Sequence, residues 1–221
     1  PGTQIVTRDR LGRLMPKVQQ ITPAKPGADT VLSIDTTIQY IAYRALLKGV
    51  TTSKAKSGFA IVMDPNNGEI LALVNQPSFN PNNLAKSVAR GRRNRAVADL
   101  FEPGSTFKIF TAAAALETGT VAPETIIDIE GGKFRVGDRT IRDFHRGDKE
   151  LSVEQILQKS SNVGAAKIGL KVGNEAMEGY LYQFGFAQPT GIELGHEPAG
   201  NIPDITFYKR VGLANRSYGY G

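Results

Sequence analysis

The side chains best suited to covalent chemistry are Ser105 and Lys108, which lie in the stretch EPGSTFK at 102–108. Pro and Gly there mark the end of a loop, and the apolar run at 109–116 predicts a buried helix because it is apolar on nearly every face. Gly119 is placed to end this helix. Ser105 therefore falls on the first turn, with Lys108 on the same face.

This spacing lets one lysine side chain reach one serine hydroxyl. A hydroxyl is a weak nucleophile until a base takes its proton, and Lys108 can be that base only when it is neutral. Burial and the positive end of a helix both disfavour the charged form. The backbone N–H of Ser105 is free at the helix start and can face a developing oxyanion. Alternatively, Ser105 only caps the helix and Lys108 is a solvated charge, so a second motif is needed.

Ser160, Ser161 and Asn162 form a second polar motif between two predicted helices. Ser160 can relay a proton to a departing amine, and Asn162 can hydrogen-bond a substrate amide and steady the lysine. Standing alone, the motif reads more simply as a helix cap. Together with Ser105 and Lys108 it is far more specific.

Composition excludes several other classes of protein. The chain has 221 residues, 40% of them hydrophobic and 22% charged, as expected of a globular protein with a real core. No cysteine and only two histidines, His145 and His196, exclude thiolate sites and the usual zinc sites, so we expect no metal or cofactor. The net charge is +6, but the basic run at 90–95 lacks interleaved aromatics. That run is interpreted as a solvated loop, and we expect no nucleic-acid partner.

Local signals predict a mixture of helices and strands. Asp35 caps a helix at 36–48 that Gly49 ends, and an Asn-Gly turn joins strands at 58–64 and 69–74. The other predicted strands are a strand–turn–strand pattern at 4–15, a strand or extended entry at 31–34 and a minor hairpin at 133–141. The other predicted helices lie at 94–100, from 152 to 158 or 159, at 165–170 and at 175–184. Ser152 and Gln155 would form a capping box, Gly185 would close the last helix, and the stretch at 187–221 is loop-like.

The two motifs together resemble those of the penicilloyl-serine transferases, where Ser-x-x-Lys precedes Ser-x-Asn. Residues 159–164 (KSSNVG) are similar to the division-type class B penicillin-binding proteins, the penicillin-binding protein 3 type. Elongation-type relatives tend to carry an aspartate at the position that corresponds to Asn162. Other stretches that resemble the class B enzymes are 32–39, 63–72, 77–83 and 101–108, while 8–13 looks like the end of their non-catalytic pedestal domain.

This resemblance implies an α+β fold: a β-lactamase-like transpeptidase domain with a helical subdomain and part of an antiparallel sheet. Residues 1–27 would be the end of the pedestal and a linker. Residues 28–221 would be the transpeptidase domain. No Lys-Thr-Gly motif follows Asn162, and 171–173 (KVG) matches it only loosely, in a helical context. We therefore expect an incomplete domain of impaired activity, since losing one oxyanion donor costs roughly 10²–10³ in rate.

The resemblance also implies the role of each site residue. Ser105 would attack the carbonyl of a D-Ala-D-Ala stem peptide or a β-lactam, with Lys108 as base. Ser160 would pass the proton to the departing D-alanine, and Asn162 would bind the acyl side-chain amide. Ser105, Ser160 and Asn162 would thus contact the substrate.

In the cell, the resemblance places the enzyme at the division septum, on the periplasmic face of the inner membrane, with its anchor outside these residues. A membrane-bound glycosyltransferase and other division proteins would be its partners. Two alternatives remain open. A class D-like β-lactamase or β-lactam sensor shares the Ser-Thr-Phe-Lys string, but those proteins tend to carry valine at Asn162. A non-catalytic scaffold would not need an intact pair of Ser105 and Lys108.

Overall fold

Two units make up the chain, an N-terminal unit of residues 1–76 and a C-terminal unit of residues 77–221. The computed structural model describes residues 3–23, 25–83, 89–145, 147–206 and 209–220, apart from the side chains of 17–21 and 89–90. Within these ranges no helix combines the length and the apolar character that crossing a bilayer requires. The division of the chain at residue 27 stays a prediction.

The N-terminal unit opens with the predicted strand–turn–strand pattern, which is confirmed and longer than expected. β1 (Thr3–Arg8) and β2 (Leu14–Thr22) pair antiparallel. Asp9 organises the turn between them, because one of its carboxylate oxygens accepts from the backbone N–H groups of both Leu11 and Arg13. Gly12 completes the turn with a φ of 77°.

Helix α1 (Thr36–Thr52) begins where its cap predicts and ends later than expected. The carboxylate of Asp35 accepts from the backbone N–H groups of Thr37 and Ile38, both at 2.8 Å. The prediction that Gly49 ends the helix is wrong. Gly49 is helical and its carbonyl accepts from the N–H of Ser53, so the helix tolerates it and continues by four residues.

The Asn-Gly hairpin is also confirmed, as β3 (Gly58–Met63) and β4 (Ile70–Gln76). Helix α1 packs on it through Gln39, whose Nε2 donates to Leu73 O at 3.0 Å and whose Oε1 accepts from Leu73 N at 2.8 Å. One amide side chain thus satisfies both backbone groups of Leu73, as one residue of a neighbouring strand would. The stretch at 31–34 is extended entry and no strand, with Ser33 Oγ donating to Ile70 O.

The C-terminal unit contains the short helix α2 (Arg95–Ala98), which confirms the prediction there. The interpretation of 90–95 as a solvated loop is wrong at Arg95, which is 8% exposed. Its guanidinium lies 3.5 Å from the carboxylate of Asp99, which also pairs with Arg93. An acidic partner one helical turn away makes this burial tolerable.

Helix α3 (Lys108–Glu117) lies between two apolar clusters. Ala115 packs with one cluster and Ala114 with the other. The prediction of a buried helix is wrong at Ile109 and Leu116, which are 57% and 41% exposed. The predicted end is confirmed: the helix stops at Glu117, and Gly119 follows with a φ of 65°.

Four short strands form two antiparallel pairs, and their buried residues belong to the cluster that contains Ala115. The pair of β6 (Lys133–Val136) and β7 (Arg139–Arg142) confirms the predicted minor hairpin. The pair of β5 (Ile126–Asp128) and β8 (Glu150–Ser152) was not predicted. In the described residues, all strands of the chain fall into four two-stranded antiparallel sheets.

Helices complete the C-terminal unit. The capping box is confirmed at α4 (Val153–Gln158): Ser152 Oγ accepts from Gln155 N at 3.1 Å, and Gln155 Oε1 accepts from Ser152 N at 3.0 Å. Helix α5 (Asn162–Val172) starts three residues before the prediction, and α6 (Asn174–Gln183) is followed by Gly185 as expected. Helix α7 (Lys209–Arg216) shows that the loop-like prediction for 187–221 is wrong there.

Helix α5 is the centre of this unit, and its glycines let its neighbours approach. A Cβ on Gly164 would lie 2.4 Å from the side chain of Ile156 on α4. A Cβ on Gly169 would lie 1.8 Å from Ser217 Oγ, just beyond α7. Neither contact is tolerable, so the close packing of α5 requires glycine at both positions.

Candidate active site

Ser105 is presented at the surface by a 3₁₀ turn, Gly104–Phe107, that runs directly into α3. Ser105 therefore lies in the 3₁₀ turn that precedes the α-helix, and not on the first turn of that helix as predicted. Gly104 has a φ of 58°, and its N–H donates to Gly219 O at 3.1 Å. These two glycines hold the turn, and Ser105 itself stays exposed.

Lys108 is the first residue of α3 and is only 2% exposed. Its Nζ lies 3.1 Å from Ser105 Oγ. The same Nζ lies 2.7 Å from Ser160 O and 2.9 Å from Ser160 Oγ. The structure thus brings together three of the four predicted site residues around one nitrogen, and Lys108 is not a solvated charge.

The electrostatic state of Lys108 follows from its burial. Loss of hydration lowers the pKa of Lys108 from 10.5 to about 8, and the carboxylate of Asp143 acts in the opposite direction. A pKa near 8 leaves an appreciable fraction of the amine neutral at neutral to slightly basic pH. The lysine is therefore able to accept a proton from a neighbouring hydroxyl.

Ser160 sits in the bend between α4 and α5, as predicted. Its φ of 56° is left-handed, which is uncommon for a residue with a side chain. Backbone hydrogen bonds from Ser160 N to Leu157 O and from Ser161 N to Ile156 O close the bend. This conformation turns both the carbonyl and the hydroxyl of Ser160 towards Lys108.

Ser161 is buried and caps α5, since its Oγ accepts from Gly164 N at 2.9 Å. It also donates to the carboxylate of Asp143 at 2.7 Å. Asp143 is not among the predicted site residues; it lies in a run of charged residues and follows the end of β7 directly. A carboxylate directly after a predicted strand is the signal that could have found it, although Ser161 lies 18 residues further along the chain.

Asn162 is the first residue of α5, and its Nδ2 donates to Arg142 O at 3.1 Å. Within the described part of the chain, no hydrogen bond joins Asn162 to Lys108. Its predicted contact with a substrate amide stays a prediction.

The loosely matching stretch 171–173 lies at the end of α5 and not on a strand. Among the described residues, no group of three or more metal-binding side chains comes together.

A helix-borne Ser-x-x-Lys pair joined to a second serine in an α+β domain is the arrangement of the serine acyltransferases that react with penicillin. The family model described as "Penicillin binding protein transpeptidase domain" matches residues 58–221. The chain therefore belongs to the penicillin-binding protein transpeptidase domain family.

Individual relatives agree with this assignment. The chain is 37% identical to "Peptidoglycan D,D-transpeptidase FtsI" of Escherichia coli K12 over 221 residues, 100% of this chain and 37% of that protein. A solved structure named "Apo structure of TP domain from Burkholderia pseudomallei penicillin-binding protein 3" matches with a TM-score of 0.76 and 36% identity, covering 89% of this chain and 55% of that one. A structure named as a peptidoglycan glycosyltransferase from Burkholderia ambifaria matches with a TM-score of 0.76 and 38% identity, covering 86% and 56%.

These likenesses confirm the α+β penicillin-recognising fold and the assignment to the penicillin-binding protein 3 type of class B enzyme. They do not favour the β-lactamase, sensor or scaffold alternatives. The chain spans just over a third of the length of the Escherichia coli relative.

Proposed function

We propose that this chain carries the acylation centre of a peptidoglycan D,D-transpeptidase that cross-links stem peptides at the division septum and is inhibited by β-lactams. The observation that carries the proposal is the position of Lys108 Nζ, 3.1 Å from Ser105 Oγ and 2.9 Å from Ser160 Oγ. A buried amine with a lowered pKa between two hydroxyls is suited to move a proton from one to the other.

In the first half of the reaction, Ser105 Oγ attacks the carbonyl carbon of the penultimate D-alanine. Neutral Lys108 takes the hydroxyl proton as the new C–O bond forms, and the backbone N–H of Ser105 stabilises the oxyanion. The C–N bond to the terminal D-alanine then breaks. Ser160 passes a proton from Lys108 to the leaving amine, so the acyl-enzyme and free D-alanine are the products.

In the second half, the amine of another stem peptide attacks the acyl-enzyme. Its proton returns through Ser160 and Lys108 to Ser105 Oγ as the ester bond breaks, and the new peptide bond is the cross-link. Asn162 binds the amide of the acyl side chain. A β-lactam follows the first half only, because its leaving nitrogen stays tethered and the ester persists.

The cellular location and the binding partners are part of the same proposal. Peptidoglycan lies outside the cytoplasm, so the domain acts at the periplasmic face of the inner membrane. Its partners are stem peptides ending in D-Ala-D-Ala, β-lactams, a membrane-bound glycosyltransferase and other division proteins.

The test uses the protein in its full natural length with a donor peptide ending in D-Ala-D-Ala and a second peptide as amine acceptor. We expect one D-alanine released for each cross-link, detected by mass spectrometry. Labelled penicillin should give an acyl-enzyme that lasts for hours. An acyl-enzyme that hydrolyses quickly without cross-link would indicate a β-lactamase, and no reaction with either reagent would indicate a scaffold.

A further inference from the structure

A buried carboxylate beside the site has no part in the proton transfers described above. Asp143 is 7% exposed and directly follows β7. Its backbone N–H donates to Gly132 O at 3.0 Å, which fixes the residue at the end of the β6–β7 hairpin. Burying a carboxylate is costly unless its oxygens are hydrogen-bonded, so its partners should indicate what it does.

Those partners all lie at the start of α5. One oxygen of Asp143 accepts from Ser161 Oγ at 2.7 Å, and the other accepts from Val163 N at 2.9 Å. The adjacent carbonyl of Arg142 accepts from Asn162 Nδ2 at 3.1 Å. Three consecutive residues of the bend are therefore tied to two consecutive residues at the end of β7.

These contacts adjoin the strained residue of the site. Ser160 keeps its left-handed backbone only because its surroundings enforce it. The bend is closed on the α4 side by two backbone hydrogen bonds, and Asp143 holds it on the α5 side. Without the second hold, Ser160 would be free to relax to a right-handed or extended conformation that removes its two oxygens from Lys108.

We propose that Asp143 is a positioning residue of the acylation centre: its carboxylate holds the 160–163 bend in the conformation that places both oxygens of Ser160 on Lys108 Nζ. This inference rests on the proposed function for its effect on catalysis, although its structural half can be measured without it. Asp143 acts through Ser161 and Val163.

A second effect of the same carboxylate makes the proposal testable. Asp143 is the charged group whose attraction raises the pKa of Lys108 against the lowering by burial. Replacing it by asparagine removes the charge and keeps an oxygen for Val163 N, whereas alanine removes both the charge and the hold. Comparing the two variants therefore separates the effect of the charge on Lys108 from the effect of the hydrogen bonds on the position of Ser160.

The experiment compares wild type, Asp143→Asn and Asp143→Ala in the protein of full natural length. The rate of acylation by labelled penicillin is followed from pH 6 to pH 10, and Lys108 is titrated by NMR with labelled lysine. Asp138→Asn is the matched control, since Asp138 lies in the turn of the same hairpin and its side chain is 82% exposed. We expect Asp143→Ala to acylate about 10²-fold more slowly, as for a small misplacement of a catalytic group.

We expect Asp143→Asn to lose less rate and to shift the midpoint of the pH profile and of the Lys108 titration to lower pH. Crystal structures should show Ser160 Oγ away from Lys108 Nζ in Asp143→Ala. The proposal is overturned if that variant keeps the contact, or if it acylates as fast as Asp138→Asn. If Asp143→Ala does not fold, Ser161→Ala removes one of the two hydrogen bonds to the carboxylate. The proposal is then overturned if Ser161→Ala acylates as fast as Asp138→Asn and keeps Ser160 Oγ on Lys108 Nζ.

Failure of the proposed function has a different signature in the wild-type protein: either it takes up no penicillin, or its acyl-enzyme hydrolyses quickly without a cross-link. In that case the position of Ser160 in the variant structures still decides whether Asp143 holds the bend.

Discussion

Lys108 Nζ donates to both oxygens of Ser160 although 52 residues separate the two in the chain. With Ser105 Oγ as the third neighbour, the three hydrogens of an ammonium are all used. A neutral amine keeps two of them and has one lone pair. Because the carbonyl of Ser160 can only accept, that lone pair must face the hydroxyl of Ser105 or Ser160. The geometry thus directs the base towards a hydroxyl.

The first prediction concerns the pH dependence of acylation. Because the pKa of Lys108 is lowered to about 8, the fraction of neutral amine grows as the pH rises through that value. The rate of acylation by penicillin should therefore increase from pH 6 to pH 10 with a midpoint near 8. Stopped-flow measurement of acylation checks this. A rate that is constant over this range, or that falls, would contradict a neutral lysine as base.

The second prediction concerns stability. Below pH 8 the folded protein holds a charged lysine in a site that disfavours it, and a pKa of about 8 in place of 10.5 corresponds to about 3 kcal/mol. Lys108→Met should therefore raise the free energy of unfolding at pH 7 by up to about 3 kcal/mol. Between pH 8 and 10.5 the unfolded state binds more protons than the native state, so wild type gains stability and the difference shrinks.

Denaturant unfolding at pH 7 and pH 10 measures this difference. Lys171→Met, at an exposed lysine of α5, is the matched control and should show no comparable pH-dependent gain. If Lys108→Met is less stable than wild type at pH 7, burial of the charged lysine does not destabilise the folded protein, and the prediction is wrong.

The third prediction concerns the turn that presents Ser105. A Cβ on Gly219 would lie 2.1 Å from Gly104 O and 2.6 Å from Gly104 N, so Gly219→Ala must displace that turn. We expect an acylation rate about 10²-fold lower, since a shift of about 1 Å at a reacting group has that effect. Gly119→Ala is the control: its φ is also positive, at 65°, but its Cβ would meet open space.

Gly119→Ala should cost only the backbone strain, about 1–2 kcal/mol of stability, and leave the acylation rate unchanged. Equal rates for the two variants would show that the contact of Gly219 with Gly104 does not position Ser105.

Local signals were sufficient where a short stretch determines its own structure. Asp35, the pair of Ser152 and Gln155, and the Asn-Gly turn at 67–68 each supply the hydrogen bonds or backbone freedom that their element needs. The Ser105 and Lys108 pair was predictable for the same reason, because helical spacing brings the two side chains together.

Elements that depend on distant partners could not be predicted in this way. Strand β5 has three residues, and Ile127 pairs with Leu151, 24 positions away. Helix α7 is short, contains Gly212 and is rich in basic residues, and its buried residues Leu213 and Ala214 are explained by packing on the rest of the unit. Asp143 looks like a surface charge until the fold brings it to Ser161.

The fourth prediction tests the packing of α5. Gly164→Ala would place its Cβ 2.4 Å from Ile156, a fully buried side chain, and should lower the free energy of unfolding by about 1–3 kcal/mol. Gly179→Ala lies inside α6 with open space around its Cβ, so it should raise that free energy by about 0.5–1 kcal/mol. Thermal unfolding of both variants checks the opposite signs, and a stabilised Gly164→Ala would contradict the close approach of α4 and α5.

The most direct measurement of the central claim is the site of covalent labelling by penicillin. After incubation of the protein in its full natural length and proteolysis, mass spectrometry should find the penicilloyl group on Ser105. Ser105→Ala should carry no label, and Ser33→Ala, at an exposed serine of the N-terminal unit, should be labelled like wild type. A label that survives in Ser105→Ala, or that maps to another residue in wild type, would contradict Ser105 as the nucleophile.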